Sequence, residues 1–259
     1  MRVVLQLAYR GSQYKGWQVQ PGEITIQSAL EEKLRILTGE AVSVVGCGRT
    51  DTGVHARNYI AHLDFSEQAA VRFSLKSLNA ILPPDIAIQK AYRAPDEFHA
   101  RFDAVYRKYI YRIHFAKDPF AATNSHQFRE RASLPLDLLN AAASLIPGRH
   151  DFRSFVKTGT GMETFACLVT ESIWIQDADG RLEYHIAANR FVRGMVRLVV
   201  GMCLNYALGK VSLEQIQDDF TNQRQIAKSW SVAAEGLTLE SVRYPEEKWR
   251  QLVLLDSGI

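Results

Sequence analysis

Asp51 stands in the stretch GCGRTDTGVHA, Gly46 to Ala56, with Arg49 two positions before it and Thr50 and Thr52 on either side. A guanidinium near a carboxylate favours its ionised form. An ionised carboxylate can act as a nucleophile or an electrostatic stabiliser, but it is a poor general acid at neutral pH. The glycines around it permit backbone angles and close approaches that other residues resist. The same residues also fit a plain turn in which Asp51 only bonds the backbone. Spacing alone leaves both readings open.

Further candidates lie well downstream. Tyr109 belongs to YRKYIYRI, an alternating stretch in which most tyrosines would do ordinary strand packing. A ring facing a cleft could instead stack on a nucleobase. Arg190, Arg193 and Arg197 fall at i, i+3 and i+7 of a predicted helix, Arg190 to about Leu208, that is otherwise apolar. A buried arginine needs a carboxylate or a phosphate as its partner. His55, His62 and Asp64 could suggest a metal, but no HExxH or comparable ligand set is present, so no metal site is expected. Arg10, Lys15, Trp17, His99, Arg101, Arg107 and Lys108 interleave basic and aromatic character, which suits phosphate and base contacts, although each one taken singly reads first as a snorkelling surface residue.

The elements that must position these residues follow from periodicity. Val3 to Ala8 reads as a strand, and Ile26, Ala29, Leu30, Leu34 and Leu37 mark a helix ending before Gly39. Val42 to Val45 and Tyr59 to Phe65 read as strands. Ser74 caps a helix stopped by Pro83-Pro84, and Ile86 to Tyr92 closes the set. The order is β-α-β-β-α-β, that of a ferredoxin-like domain. The second half repeats it: a strand over Val105 to Phe115, a helix over Leu136 to Ile146, and a hairpin of Leu168 to Ile175 with Leu182 to Ala187. The long helix capped by Asn189, a shorter one over Leu213 to Phe220 and a strand over Leu237 to Val242 complete it. The expected fold class is α+β, with domains 1–100 and 101–259. Pro147 to Cys167 reads as a candidate binding loop.

Composition bounds the rest. The 259 residues are 47% hydrophobic and 23% charged, enough for a real core. A net charge of +3 does not by itself specify a nucleic-acid partner. Cys47, Cys167 and Cys203 are odd in number and form no CxxC, which argues against a disulfide framework or a zinc cluster. MRVVLQLAYRG lacks the pattern of a signal peptide. A soluble cytoplasmic protein is expected.

Taken in order, several motifs together resemble the TruA family of tRNA pseudouridine synthases. They are YRGSQYKGWQVQ, TIQSALE, GCGRTDTGVHA, FHARFDA with RKY shortly after, HDFRSF, NRFVRGMVRLVVG and AEGLTL. The resemblance implies two ferredoxin-like domains whose largely antiparallel sheets join, with an RNA-binding cleft between them, in a homodimer. It implies tRNA as substrate, no cofactor, and uridines at positions 38 to 40 of the anticodon arm as targets. It further implies Asp51 as the catalytic residue, Arg49 as the residue that displaces the flipped nucleotide, and Tyr109 as the ring that stacks on uracil. Arg197 is implied as the partner of the aspartate and Leu237 as a wall of the uracil pocket. Three departures stand out: YRG at Gly11 where the family has YDG, Thr52 where alanine is common, and no arginine-rich run over Gly159 to Cys167. A catalytically silent tRNA-binding chaperone of the same fold is the alternative, and a metal-dependent hydrolase a third reading.

Overall fold

The computed structural model describes residues 1–130, 133–156 and 164–255. The chain divides into two compact units: Met1–Val105 together with the chain from Leu239 onward, and Tyr106–Thr238. Both are mixed α+β with mostly antiparallel strands.

In the first unit, β1 (Arg2–Tyr9) lies between β3 (His55–Asp64) and β4 (Ile86–Ala94), antiparallel to both. β2 (Val45–Gly46) adds a short ladder to β3. α1 (Ile26–Thr38), α2 (Glu67–Arg72) and α3 (Leu75–Ile81) pack together. α1 begins at a capping box in which the Thr25 side chain and Ser28 satisfy each other's backbone N–H. It buries Ile26, Ala29, Leu30 and Leu34 at helical spacing. Each large aliphatic side chain of that stripe contributes about 1.5–3 kcal/mol.

The second unit opens with β5 (Tyr106–His114), which pairs with β9 (Leu182–Ala188) and, in parallel, with β6 (His126–Gln127). β9 pairs with β8 (Ala166–Gln176), and β8 with β7 (Gly148–Asp151). α4 (Leu136–Ala143) packs on β8 and on α5 (Met195–Ala207). The Asn140 amide pairs with both backbone groups of Trp174, at 2.8 and 3.0 Å, and so ties helix to strand. α6 (Leu213–Thr221) and β10 (Leu237–Arg243) follow. α7 (Glu246–Trp249) and β11 (Val253–Leu254) end the described chain.

Two expectations are corrected. The chain from Leu239 onward returns to the first unit, so a simple division at residue 100 does not hold. β11 pairs with β4, the Tyr244 hydroxyl donates to the Ala100 carbonyl at 2.6 Å, and Lys248 pairs with Asp103. The long helix begins at Met195 and not at Arg190, because Gly194 adopts φ +78 as its N-cap. Asn189 caps nothing there. Its side-chain oxygen accepts from Leu168 N–H and its carbonyl from Arg107. Arg190 and Arg193 therefore precede the helix, and only Arg197 lies on it.

Candidate active site

Asp51 is carried by the bend between β2 and β3, half-buried, with Arg49 exposed two residues earlier. The residue between them, Thr50, is buried, and its hydroxyl meets the Tyr9 hydroxyl at 2.9 Å. Its carbonyl accepts from Trp17 N–H at 3.1 Å, and the Asp51 carbonyl accepts from Val54 N–H at 3.1 Å. The bend is thus pinned on both sides of the carboxylate.

The pins on Thr50 come from the end of β1 and the stretch that follows it. Gly16 has φ +86, and a Cβ there would stand 2.6 Å from the Thr50 carbonyl oxygen, so only glycine lets the two chains approach. Trp17 stacks on Tyr59 at 4.1 Å, and Tyr9 packs against both rings. The Tyr59 hydroxyl donates to the Gly48 carbonyl. At the far end of the bend, buried His55 accepts the Gly11 N–H on Nδ1 at 3.1 Å. YRGSQYKGW is therefore a clasp around GCGRTDTGVHA, and Tyr9, Thr50, Trp17, Tyr59 and His55 are its fastenings. The sequence signal was the number of hydroxyls and rings in two short glycine-containing stretches.

The second unit holds the other candidates. Tyr109 is half-buried on β5, opposite Ile186, with Phe191 edge-on at 5.3 Å. Tyr111 lies two residues on and on the same face, fully buried, and burial raises its hydroxyl well above the ordinary tyrosine range. Arg197 sits in the first turn of α5, where the helix dipole disfavours a cation. Other groups offset that cost. Its Nε donates to the Val232 carbonyl at 2.6 Å, and the Glu235 carboxylate acts on it electrostatically. Glu235 is held below the usual carboxylate range by its bond with His126, at 2.9 Å, and by Arg197. Leu237 follows, buried at the start of β10.

Residues 228–232 form a strap along α5 that the sequence reading missed. Asn205 Nδ2 donates to the Lys228 carbonyl at 2.8 Å, and Arg197 meets Val232 through both its backbone carbonyl and its side chain. Between them, a Cβ on Gly201 would lie 1.8 Å from the Trp230 carbonyl oxygen. Positions 197, 201 and 205 repeat at four-residue steps, so they share one helix face. An arginine, a glycine and an asparagine at that spacing on an apolar helix were the available signal.

Among the described residues no group of three metal-ligating side chains comes together. His62 accepts Ala100 N–H on Nδ1 at 3.1 Å, and Asp64 pairs with Arg2 at 2.8 Å. Part of Pro147 to Cys167 is ordered as β7 and a 3-10 turn at Arg153–Phe155, while 157–163 lie outside the described residues. None of the described helices is long and apolar enough to cross a membrane.

Residues 141–245, which include α5, the strap and Leu237, match a family profile described as tRNA pseudouridine synthase. Over nearly its whole length the chain is 37% identical to tRNA pseudouridine synthase A of Azobacteroides pseudotrichonymphae, covering 94% of this chain and 97% of that one. The chain belongs to the tRNA pseudouridine synthase A family. The Porphyromonas gingivalis member is 37% identical, over 95% of this chain and 98% of that one. The Bacillus subtilis member is 35% identical, over 94% and 99%. Membership thus takes in the Asp51 bend and Tyr109 as well as the profile region. Within the tRNA pseudouridine synthase A framework, Asp51 and Arg49 belong to the first unit, and Tyr109, Arg197 and Leu237 to the second.

Proposed function

We propose that this protein isomerises uridine to pseudouridine in tRNA, acting on the anticodon arm at positions 38 to 40. The observation that carries the reading is an aspartate on a bend pinned from both sides, in a chain that matches the tRNA pseudouridine synthase A family over 94% of its residues. The target base leaves its stack before a side chain reaches it. Arg49 enters the space it vacates, Tyr109 stacks on the uracil, and Leu237 lines the pocket. Asp51, ionised and oriented by Arg197, either attacks C1′ or removes the 2′ proton to give a glycal. The N1–C1′ bond breaks, the uracil turns, and C5 bonds to C1′. The C5 proton is lost to solvent and N1 gains one, so the atoms balance with no redox partner or group donor. The two units are read as ferredoxin-like domains whose sheets join around an RNA-binding cleft. The protein is read as a cytoplasmic homodimer.

The test is to incubate the purified protein with unmodified tRNA transcripts and map pseudouridine by position. Pseudouridine at 38 to 40 without added cofactor is the expected result. Tight tRNA binding without any pseudouridine would favour the chaperone alternative and overturn this reading.

A further inference from the structure

We infer that Phe102 is a stacking platform for an unpaired base of the RNA substrate, an inference that rests on the reading of function above. Phe102 is 75% exposed, in the turn that joins β4 to β5. Single exposed apolar residues need no explanation, but this one is held in an unusual way. The turn beneath it is bonded at almost every step. His99 Nδ1 accepts the N–H of both Arg101 and Phe102, at 3.1 and 3.2 Å. Asp103 accepts His99 N–H at 2.7 Å and is itself anchored by Lys248. The Ala100 N–H and carbonyl are taken up by His62 and Tyr244.

The result is a rigid turn that holds a large ring out to water. The His99 ring backs the phenyl ring at 4.3 Å and 30°, and the Arg101 guanidinium lies 5.7 Å from its centroid. An aromatic face supported from behind, with a cation alongside, matches what a base and its phosphate require. Because the turn is fixed beforehand, little ordering entropy is lost on contact. The other strongly exposed phenylalanine, Phe120, differs in kind. Among the described residues no aromatic ring packs behind it and no guanidinium lies over it, in contrast to Phe102. Phe102 lies in FHARFDA, a motif to which the mechanism assigns no task.

The experiment uses the full chain and an unmodified tRNA transcript. Phe102→Ala is expected to weaken tRNA binding by about 5- to 100-fold, with an unchanged thermal midpoint. Phe102→Tyr should bind like wild type, and Phe102→Leu should stay weak, since stacking needs a π-face. The fluorescence of Phe102→Trp should be quenched when tRNA is added. Binding by Phe102→Ala within twofold of wild type overturns the platform, as does full binding by Phe102→Leu. A change in the protein's solution mass with Phe102→Ala overturns it in favour of a contact between proteins. Wild-type protein that binds no tRNA overturns the platform and the functional reading together. Wild-type protein that modifies tRNA while Phe102→Ala binds normally overturns the platform alone.

Discussion

Tyr9 and Thr50, separated by 41 positions, share a buried hydrogen bond of 2.9 Å between their hydroxyls. Thr50 immediately precedes Asp51, so this bond fixes the chain that carries the carboxylate. A catalytic group misplaced by an ångström loses much of its rate advantage. Under the role proposed for Asp51, the clasp acts on the reaction through position.

Tyr9→Phe keeps the ring against Trp17 and Tyr59 and removes only the hydroxyl. The loss of one buried hydrogen bond, with Thr50 left without that partner, costs about 1–3 kcal/mol of stability. We expect kcat to fall about tenfold with KM for tRNA nearly unchanged. Thr50→Val should behave the same way, and the double variant should be no worse than either single one. Additive losses measured in that cycle would show that the bond does not act as a unit.

Gly201→Ala tests the strap along α5. The new methyl would collide with the Trp230 carbonyl and push residues 228–232 off the helix. Overpacking of this kind costs about 1–3 kcal/mol. Arg197 loses its fixed contact with Val232, so kcat should fall further than stability alone explains. Asn205→Ala, which removes one bond at the far end of the strap, should give a milder loss of the same sign. A Gly201→Ala enzyme with wild-type kcat at a temperature where it is folded would contradict the strap's role.

Much of this was legible in the sequence, and the limits are physical. The capping box of α1, the Ser74-capped helix and the β8–β9 hairpin around Asp177 to Gly180 follow local rules, and local rules read well. The start of α5 did not, because Gly194 in a left-handed conformation delays the helix to Met195, and Asn189 was needed elsewhere. The return of the chain's end to the first unit depends on pairings such as Val253 with Arg93, which no local pattern announces. The identities of the candidate site residues came from ordered motifs. The clasp and the strap came only from contacts between segments far apart in sequence.

His62 gives the protein a pH dependence. Burial lowers its pKa from 6.5 to about 4, and Arg2 and His99 act in the same direction. It stays neutral in the fold and accepts the Ala100 N–H. The unfolded chain takes up the proton near its ordinary pKa, so this contribution is complete above about pH 6.5 and is lost as the pH falls towards about 4. The full effect is about 3 kcal/mol. His62→Asn can accept the same N–H without titrating. Its thermal midpoint should vary less than wild type between pH 6.5 and pH 4, and parallel profiles would contradict this assignment.

The most direct measurement of the central claim follows tritium from C5 of uridine in tRNA. Forming the C1′–C5 bond must expel the label to water, whereas binding alone, or a hydrolysis that leaves C5 untouched, retains it. Wild-type protein is predicted to release tritium without cofactor. Asp51→Asn, close in shape and uncharged, is predicted to bind the same tRNA and release essentially none. Release by Asp51→Asn at the wild-type rate would contradict the assignment of Asp51 as the group that carries the reaction.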